Sequence, residues 1–206
     1  MRTLLIALAL LLGAAIPASA APVPLEAGTP LTAPSSANRC ANGYNVRGYL
    51  LVPPNCAPVG AVVSGPGGID VGAVVAVRET YSVVRITNTT AWVQRPTIAG
   101  RTGVVTGSAE TPVGGAVCAV GRSSGLRCGT VQARNVTVNF PTGTVSGLTR
   151  TTLCTDPGET WKPVFTGSQA QGHVLGGSGN CSTGGTSLFY PVNRILAENG
   201  FTLVTG

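Results

Sequence analysis

From Cys40 to its end the chain is written in short apolar runs that Gly, Pro and Asn keep interrupting. GYLLV (48–52), GAVVS (60–64), GAVVAV (72–77), YSVVRIT (81–87), TGVVTG (102–107), GAVCAV (115–120), CGTVQA (128–133), VTVNF (136–140) and GHVLGG (172–177) follow one another in this way. Each has the length and β-branched content of a strand, and turn residues separate them at the spacing of an all-β sandwich or barrel. In VTVNF, Val136, Val138 and Phe140 share one face while Thr137 and Asn139 share the other, the alternation of a half-buried strand. One segment reads as helix, residues 192–199 (VNRILAEN), entered after Pro191 and left at Gly200, the usual asymmetry of start and stop.

The residues that are scarce exclude more chemistry than those that are common. His173 is the single histidine, and Asp70 and Asp156 are the only aspartates among 206 residues. A two-histidine metal site and an Asp-rich cation cage both lack their ligands, so no metal and no cofactor is expected. The Gly-rich stretches at 65–72 and 176–185 lack the Lys-Ser/Thr ending of a phosphate loop and read as turns. A formal charge of +6 with pI near 9.3 comes from scattered arginines. No basic stripe interleaved with aromatics is present, so nucleic acid is not an expected partner.

Residues 1–20 (MRTLLIALALLLGAAIPASA) have the form of a cleaved signal peptide: Arg2, an apolar stretch, then Ala18-Ser19-Ala20. The apolar run is short for a bilayer span, so a secreted protein without a stable membrane anchor is expected. Residues 21–38, rich in Pro, Ala and Ser, read as an extended arm. Six cysteines follow the leader, an even count that in an exported chain implies three disulfides. Fifteen pairings are possible; the sequential one, Cys40–Cys56, Cys118–Cys128 and Cys154–Cys181, closes local loops and is the one expected. Cys118 and Cys128 bracket a segment that turns at 123–125, so their bridge would pin a hairpin.

The C-terminal half carries more specific text. Residues 128–154 (CGTVQARNVTVNFPTGTVSGLTRTTLC), 167–185 (GSQAQGHVLGGSGNCSTGG) and 189–196 (FYPVNRIL) resemble the streptogrisin and α-lytic protease branch of the bacterial chymotrypsin-like serine proteases. RCANGYNVRG (39–48) is similar to the segment around that family's first disulfide cysteine. The resemblance is strong over about 110–206, moderate over 39–56 and poor between. It implies two antiparallel six-stranded β-barrels, about 39–107 and 108–206, the first shortened, with a short C-terminal helix and a substrate cleft between the barrels. The family's disulfides fall on the same three sequential pairs.

The same resemblance locates a triad that is not there. The family's general-base His lies immediately before the second cysteine, where this chain has Asn55. A carboxamide cannot accept the hydroxyl proton near neutral pH. The Asp position, before a Tyr-x-Val-Val-Arg strand, holds Thr80, and Glu79 beside it would face the opposite side if both lay in a strand. The Gly-Asp-Ser-Gly-Gly nucleophile loop reads Gly158-Glu159-Thr160-Trp161-Lys162. Thr160 replaces the Ser, and of the glycines in the loop, whose backbone amides form the oxyanion hole, only Gly158 remains. A Thr160–Lys162 nucleophile and base pair has poor geometry on a turn. His173 shares a strand face with Leu175 and lies either near the cleft floor or, more commonly for such a residue, buried with a hydrogen bond.

In the family the strand corresponding to Leu175, Gly176 and Gly177 pairs with substrate backbone. The expected protein is therefore a secreted, monomeric protease homologue that is proteolytically inactive and takes a peptide or protein ligand in its cleft. The competing expectation is an active secreted serine-type endopeptidase with a non-standard site.

Overall fold

A computed structural model describes residues 21–33, 40–121 and 124–206. The leader at 1–20 lies outside the described residues, as do 122–123 of the expected hairpin turn. No helix among the described residues is long and apolar enough to cross a membrane.

The chain forms fifteen strands and one α-helix among these residues. The first nine are β1 (Val23–Ala27), β2 (Pro30–Leu31), β3 (Cys40–Ala41), β4 (Asn45–Val46), β5 (Tyr49–Val52), β6 (Val62–Ser64), β7 (Asp70–Val77), β8 (Ser82–Ile86) and β9 (Trp92–Ile98). They build the N-terminal half around a five-stranded antiparallel sheet in the order β4-β5-β8-β7-β6. Two short pairs complete it, β2 with β3 antiparallel and β1 with β9 parallel.

The C-terminal half comprises β10 (Ala116–Gly121), β11 (Gly125–Phe140), β12 (Gly143–Thr151), β13 (Pro163–Thr166), β14 (Gln169–Asn180), β15 (Gly184–Pro191) and the helix α1 (Val192–Asn199). Its six strands close into a barrel in the order β10-β11-β12-β15-β14-β13. The all-β architecture and the C-terminal helix are those expected; the second half is the six-stranded barrel, while the first half, expected as a shortened barrel, has its five-stranded sheet and two short pairs. Gly200 ends α1 in the left-handed region at φ 65° and donates its N–H to the Leu196 carbonyl.

The structure departs from the sequence reading in three elements. TGVVTG makes no strand, only single bridges at Thr97–Val104 and Gly107–Gln169. CGTVQA and VTVNF fuse into the 16-residue β11, whose register shifts between Ala133 and Val136. Asn135 absorbs that bulge at φ 57°, a conformation that Asn tolerates better than most residues. Of the segment expected as an arm, residues 21–33 are extended but belong to the core, with Leu25 and Leu31 buried among Leu50, Val63 and Trp92, and 34–38 lie outside the described residues.

The cores explain why the central strands are apolar without alternation. Leu50 and Val52 of β5 face the N-terminal core, while Leu51 between them enters a layer shared with Leu148, Trp161, Tyr190 and Ile195 of the other half. Val84 and Val83 of β8 divide in the same way. Val117, Ala119, Val131, Val164, Val174 and Phe189 fill the C-terminal barrel. Disulfides join Cys40–Cys56, Cys118–Cys128 and Cys154–Cys181, the sequential pairing.

Candidate functional site

Where the two halves meet, a cleft of about 370 Å³ is lined by Asn55 and Glu79 from the first half and by Thr160, Trp161 and Leu175 from the second. Asn55 is held by the turn after β5, in which Cys56 N–H donates to the Pro53 carbonyl at 3.1 Å and Cys56 is bridged to Cys40. Thr160 sits in the loop between Cys154 and β13. Glu159 N–H folds back onto the Asp156 carbonyl (3.0 Å), and Trp161 N–H reaches the Val174 carbonyl of β14 (2.6 Å). Asn55 and Thr160 are thus brought together.

Thr80 is not brought to that cleft. It is 6% exposed and lines a neighbouring concavity of about 240 Å³, where its side chain meets the Tyr190 hydroxyl. The Tyr190 phenol also donates to Glu198 Oε1 (2.7 Å), and burial together with the Glu198 charge pushes its pKa up to about 12. Glu79 takes the place in the cleft that sequence reasoning denied it. Glu79 and Thr80 lie in a bend before β8 rather than in a strand, so the alternation argument does not apply to them.

The loop around Thr160 is rebuilt on side chains instead of glycines. Gly158 keeps a left-handed φ of 82°, but Trp161 also adopts φ 63°, a conformation that costs an L-residue about 1–2 kcal/mol. The buried indole offsets that strain. It is 2% exposed, donates Nε1–H to the Leu51 carbonyl (3.2 Å) and stacks on His173 at 4.4 Å between ring centroids. Lys162, 6% exposed, donates to Glu159 Oε2 at 2.8 Å, and the same carboxylate oxygen accepts the Ser124 hydroxyl at 2.8 Å. The lysine is therefore paired away from Thr160 and supplies it no base.

His173 is a structural residue. It is fully buried, its Nε2 accepts Tyr44 N–H at 2.8 Å, and Tyr44 and Trp161 flank its ring. Burial pushes its pKa down to about 3, so the imidazole stays neutral. A side chain on Gly43 would place a Cβ 2.4 Å from Nε2, which is why a glycine stands there. The expected shared face with Leu175 fails because β14 is bulged between Val174 and Gly176, so Leu175 turns to the cleft while His173 stays in the core. Asp70 accepts the Ser64 hydroxyl (2.8 Å) and Asp156 accepts Cys181 N–H (3.0 Å). Neither aspartate lines the cleft. No group of three or more metal-ligating side chains occurs among the described residues.

The strand edge expected to hold peptide is accessible. β13 pairs with β14 only as far as Pro163–His173. Beyond it, Leu175, Gly176 and Gly177 have no strand on that side among the described residues, while Gly176 and Gly177 pair with Leu188 and Ser187 on the other. Gly177 is required there, because a Cβ would lie 2.2 Å from the Thr186 carbonyl oxygen. A larger concavity of about 590 Å³ behind the Thr160 loop, between Gly28, Gly100 and Val120, offers only the Glu159–Lys162 pair as charged groups. Those two are engaged with each other; this concavity shares Thr160 and Trp161 with the smaller cleft, which alone of the two also holds Asn55, Glu79 and Leu175.

No family model matches the chain. Individual relatives do. Streptogrisin-C of Streptomyces griseus is 40% identical over 182 residues, covering 83% of this chain and 39% of the relative. Serine protease 2 of Streptomyces fradiae is 34% identical over 72% of this chain and 92% of its own length. Thermobifida fusca protease A superposes with a TM-score of 0.78 at 38% identity, over 89% of this chain and 100% of that one. The chain spans 39%, 45% and 62% of the lengths of streptogrisins C, D and A.

Proposed function

The chain belongs to the streptogrisin-like branch of the chymotrypsin-like serine proteases, and we propose that it is a proteolytically inactive member acting by peptide or protein binding. One observation carries this reading: the only imidazole is sealed in the core against Trp161 and Tyr44, so Thr160 has no histidine to take its proton. Acyl transfer in this fold needs a nucleophile, a base within hydrogen-bond reach and an orienting carboxylate. By resemblance those positions hold Thr160, Asn55 and Thr80; Glu79 brings a carboxylate to the cleft in place of Thr80, but with no imidazole there for it to orient. Binding asks less. An open strand edge at Leu175, Gly176 and Gly177 beside the cleft supports peptide addition through main-chain hydrogen bonds.

Three disulfides and the streptogrisin relatives support export. The sequence of the first twenty residues supports removal of a leader near Ala21. The protein purified from culture medium should not react with a fluorophosphonate probe and should not hydrolyse peptides with small or aromatic P1 residues. Hydrolysis abolished by Thr160→Ala would establish the competing reading, an active secreted endopeptidase with a non-standard site.

A further inference from the structure

With no histidine in the cleft, its charge is set by one group. Glu79 is the ionisable side chain that lines it together with Asn55, Thr160 and Leu175. Its carboxylate reaches across the mouth, Oε1 lying 3.0 Å from where a Cβ on Gly143 would stand, at the turn between β11 and β12. The cations of the surrounding segments make their contacts elsewhere. Lys162 pairs with Glu159 behind the loop at 2.8 Å. Arg194 donates to the Ser146 carbonyl (3.2 Å) and lies over the Tyr190 ring at 5.3 Å. Arg78 directs its guanidinium at the Val77 carbonyl (3.4 Å) and, with Arg194, lines the neighbouring concavity, which Glu79 also borders, without forming an ion pair with it. Among the described residues the ion pairs are Arg134–Glu110 and Lys162–Glu159, and neither includes Glu79.

We infer that this cleft selects extended peptides bearing a Lys or Arg side chain, the backbone added to the free edge of β14 and the cation set against Glu79. The inference rests on the peptide-binding reading above and names the ligand class for it. A strand laid along Leu175, Gly176 and Gly177 gains main-chain hydrogen bonds whatever its sequence, so discrimination falls to side chains that reach beyond the edge. A neutral peptide covering the cleft would shield Glu79 from water without giving it a partner. An acidic peptide would add like-charge repulsion. A guanidinium or ammonium is the group that gains from being placed there.

The test uses N-acetylated, C-amidated heptapeptides identical except for one central residue, Arg, Gln or Glu, with binding to the purified protein followed by fluorescence anisotropy. The Arg peptide should bind about three- to fivefold more tightly than the Gln peptide, the range of a partly exposed ion pair, and the Glu peptide should bind most weakly. Glu79→Gln should bring the Arg-to-Gln ratio to about one, and Glu79→Arg should make the Glu peptide the preferred ligand. Equal affinities for all three peptides overturn the inference but leave peptide binding standing. A preference for Arg that survives Glu79→Gln also overturns it. Tighter binding confined to a non-acetylated Gln peptide would assign the cation to a free α-amine and overturn the side-chain assignment. Absence of binding by every peptide would remove the peptide-binding reading itself.

Discussion

Acid should destabilise this protein through its one histidine before any carboxylate is touched. His173 is neutral in the fold with its pKa pushed down to about 3 by complete burial, against an ordinary value of 6.5. Between those values the unfolded chain takes up a proton that the native state refuses, so stability falls as pH falls. Each pH unit below about 6.5 removes about 1.4 kcal/mol, to a ceiling of about 5 kcal/mol near pH 3. The range from about pH 6.5 to about pH 5 isolates the effect, because the seven carboxylate side chains ordinarily titrate near 4. Over that range about 2 kcal/mol should be lost. Urea unfolding at constant ionic strength, followed by the fluorescence of Trp92 and Trp161, measures it. His173→Gln keeps an acceptor near Tyr44 N–H but cannot titrate, so its stability should stay level over the same range. Parallel slopes for the two proteins would refute the reasoning, since no other side chain has its ordinary pKa in that window.

Other perturbations report on the same region. Gly43→Ala sets a methyl 2.4 Å from His173 Nε2 and 2.9 Å from the Leu51 carbonyl oxygen; it should cost about 1–3 kcal/mol of urea stability by overpacking and alter the near-ultraviolet signal of Trp161. Lys162→Met strands the buried Glu159 carboxylate and should cost about 3–5 kcal/mol, with the Glu159→Gln, Lys162→Met double variant recovering part of it. Trp161→Ala removes the stack and the bond to Leu51 while keeping the left-handed backbone, for a loss of about 3–5 kcal/mol. Removing Cys154–Cys181, whose partners are 27 residues apart, should cost about 3 kcal/mol in thermal or urea unfolding.

What could be read from the sequence follows from how local its cause is. The helix at 192–199 is fixed by Pro191, Gly200 and its own apolar spacing, and the structure has it at Val192–Asn199. β5 and β8 are continuous apolar text because they are buried on both faces or nearly so, whereas β7 is as apolar although Val75 and Val77 on its second face are exposed. β9 escaped notice because Gln94, Arg95 and Pro96 interrupt it. Its order comes from β1, a partner about 70 residues away in sequence. The cleft shows the same division. Asn55 and Thr160 could be placed by resemblance, since disulfide-anchored segments flank both. Glu79 could not, because its direction depends on a bend with no Gly or Pro to mark it. Nor did any local pattern announce the bulge in β14 that parts His173 from Leu175.

The layer between the halves has a consequence for how the molecule comes apart. Leu51 and Val83 belong to it, yet they sit on strands whose neighbouring residues, Leu50, Val52 and Val84, fill the core of the N-terminal half. Separating the halves would bare both apolar surfaces of that layer at once and strip one face from strands whose other face holds the N-terminal core together. Melting should accordingly be a single transition, with calorimetric and van't Hoff enthalpies equal. Residues 108–206 expressed alone would present Trp161, Leu148 and Ile195 to water and aggregate, although six strands close their barrel. The two halves are separate in architecture and one body in thermodynamics.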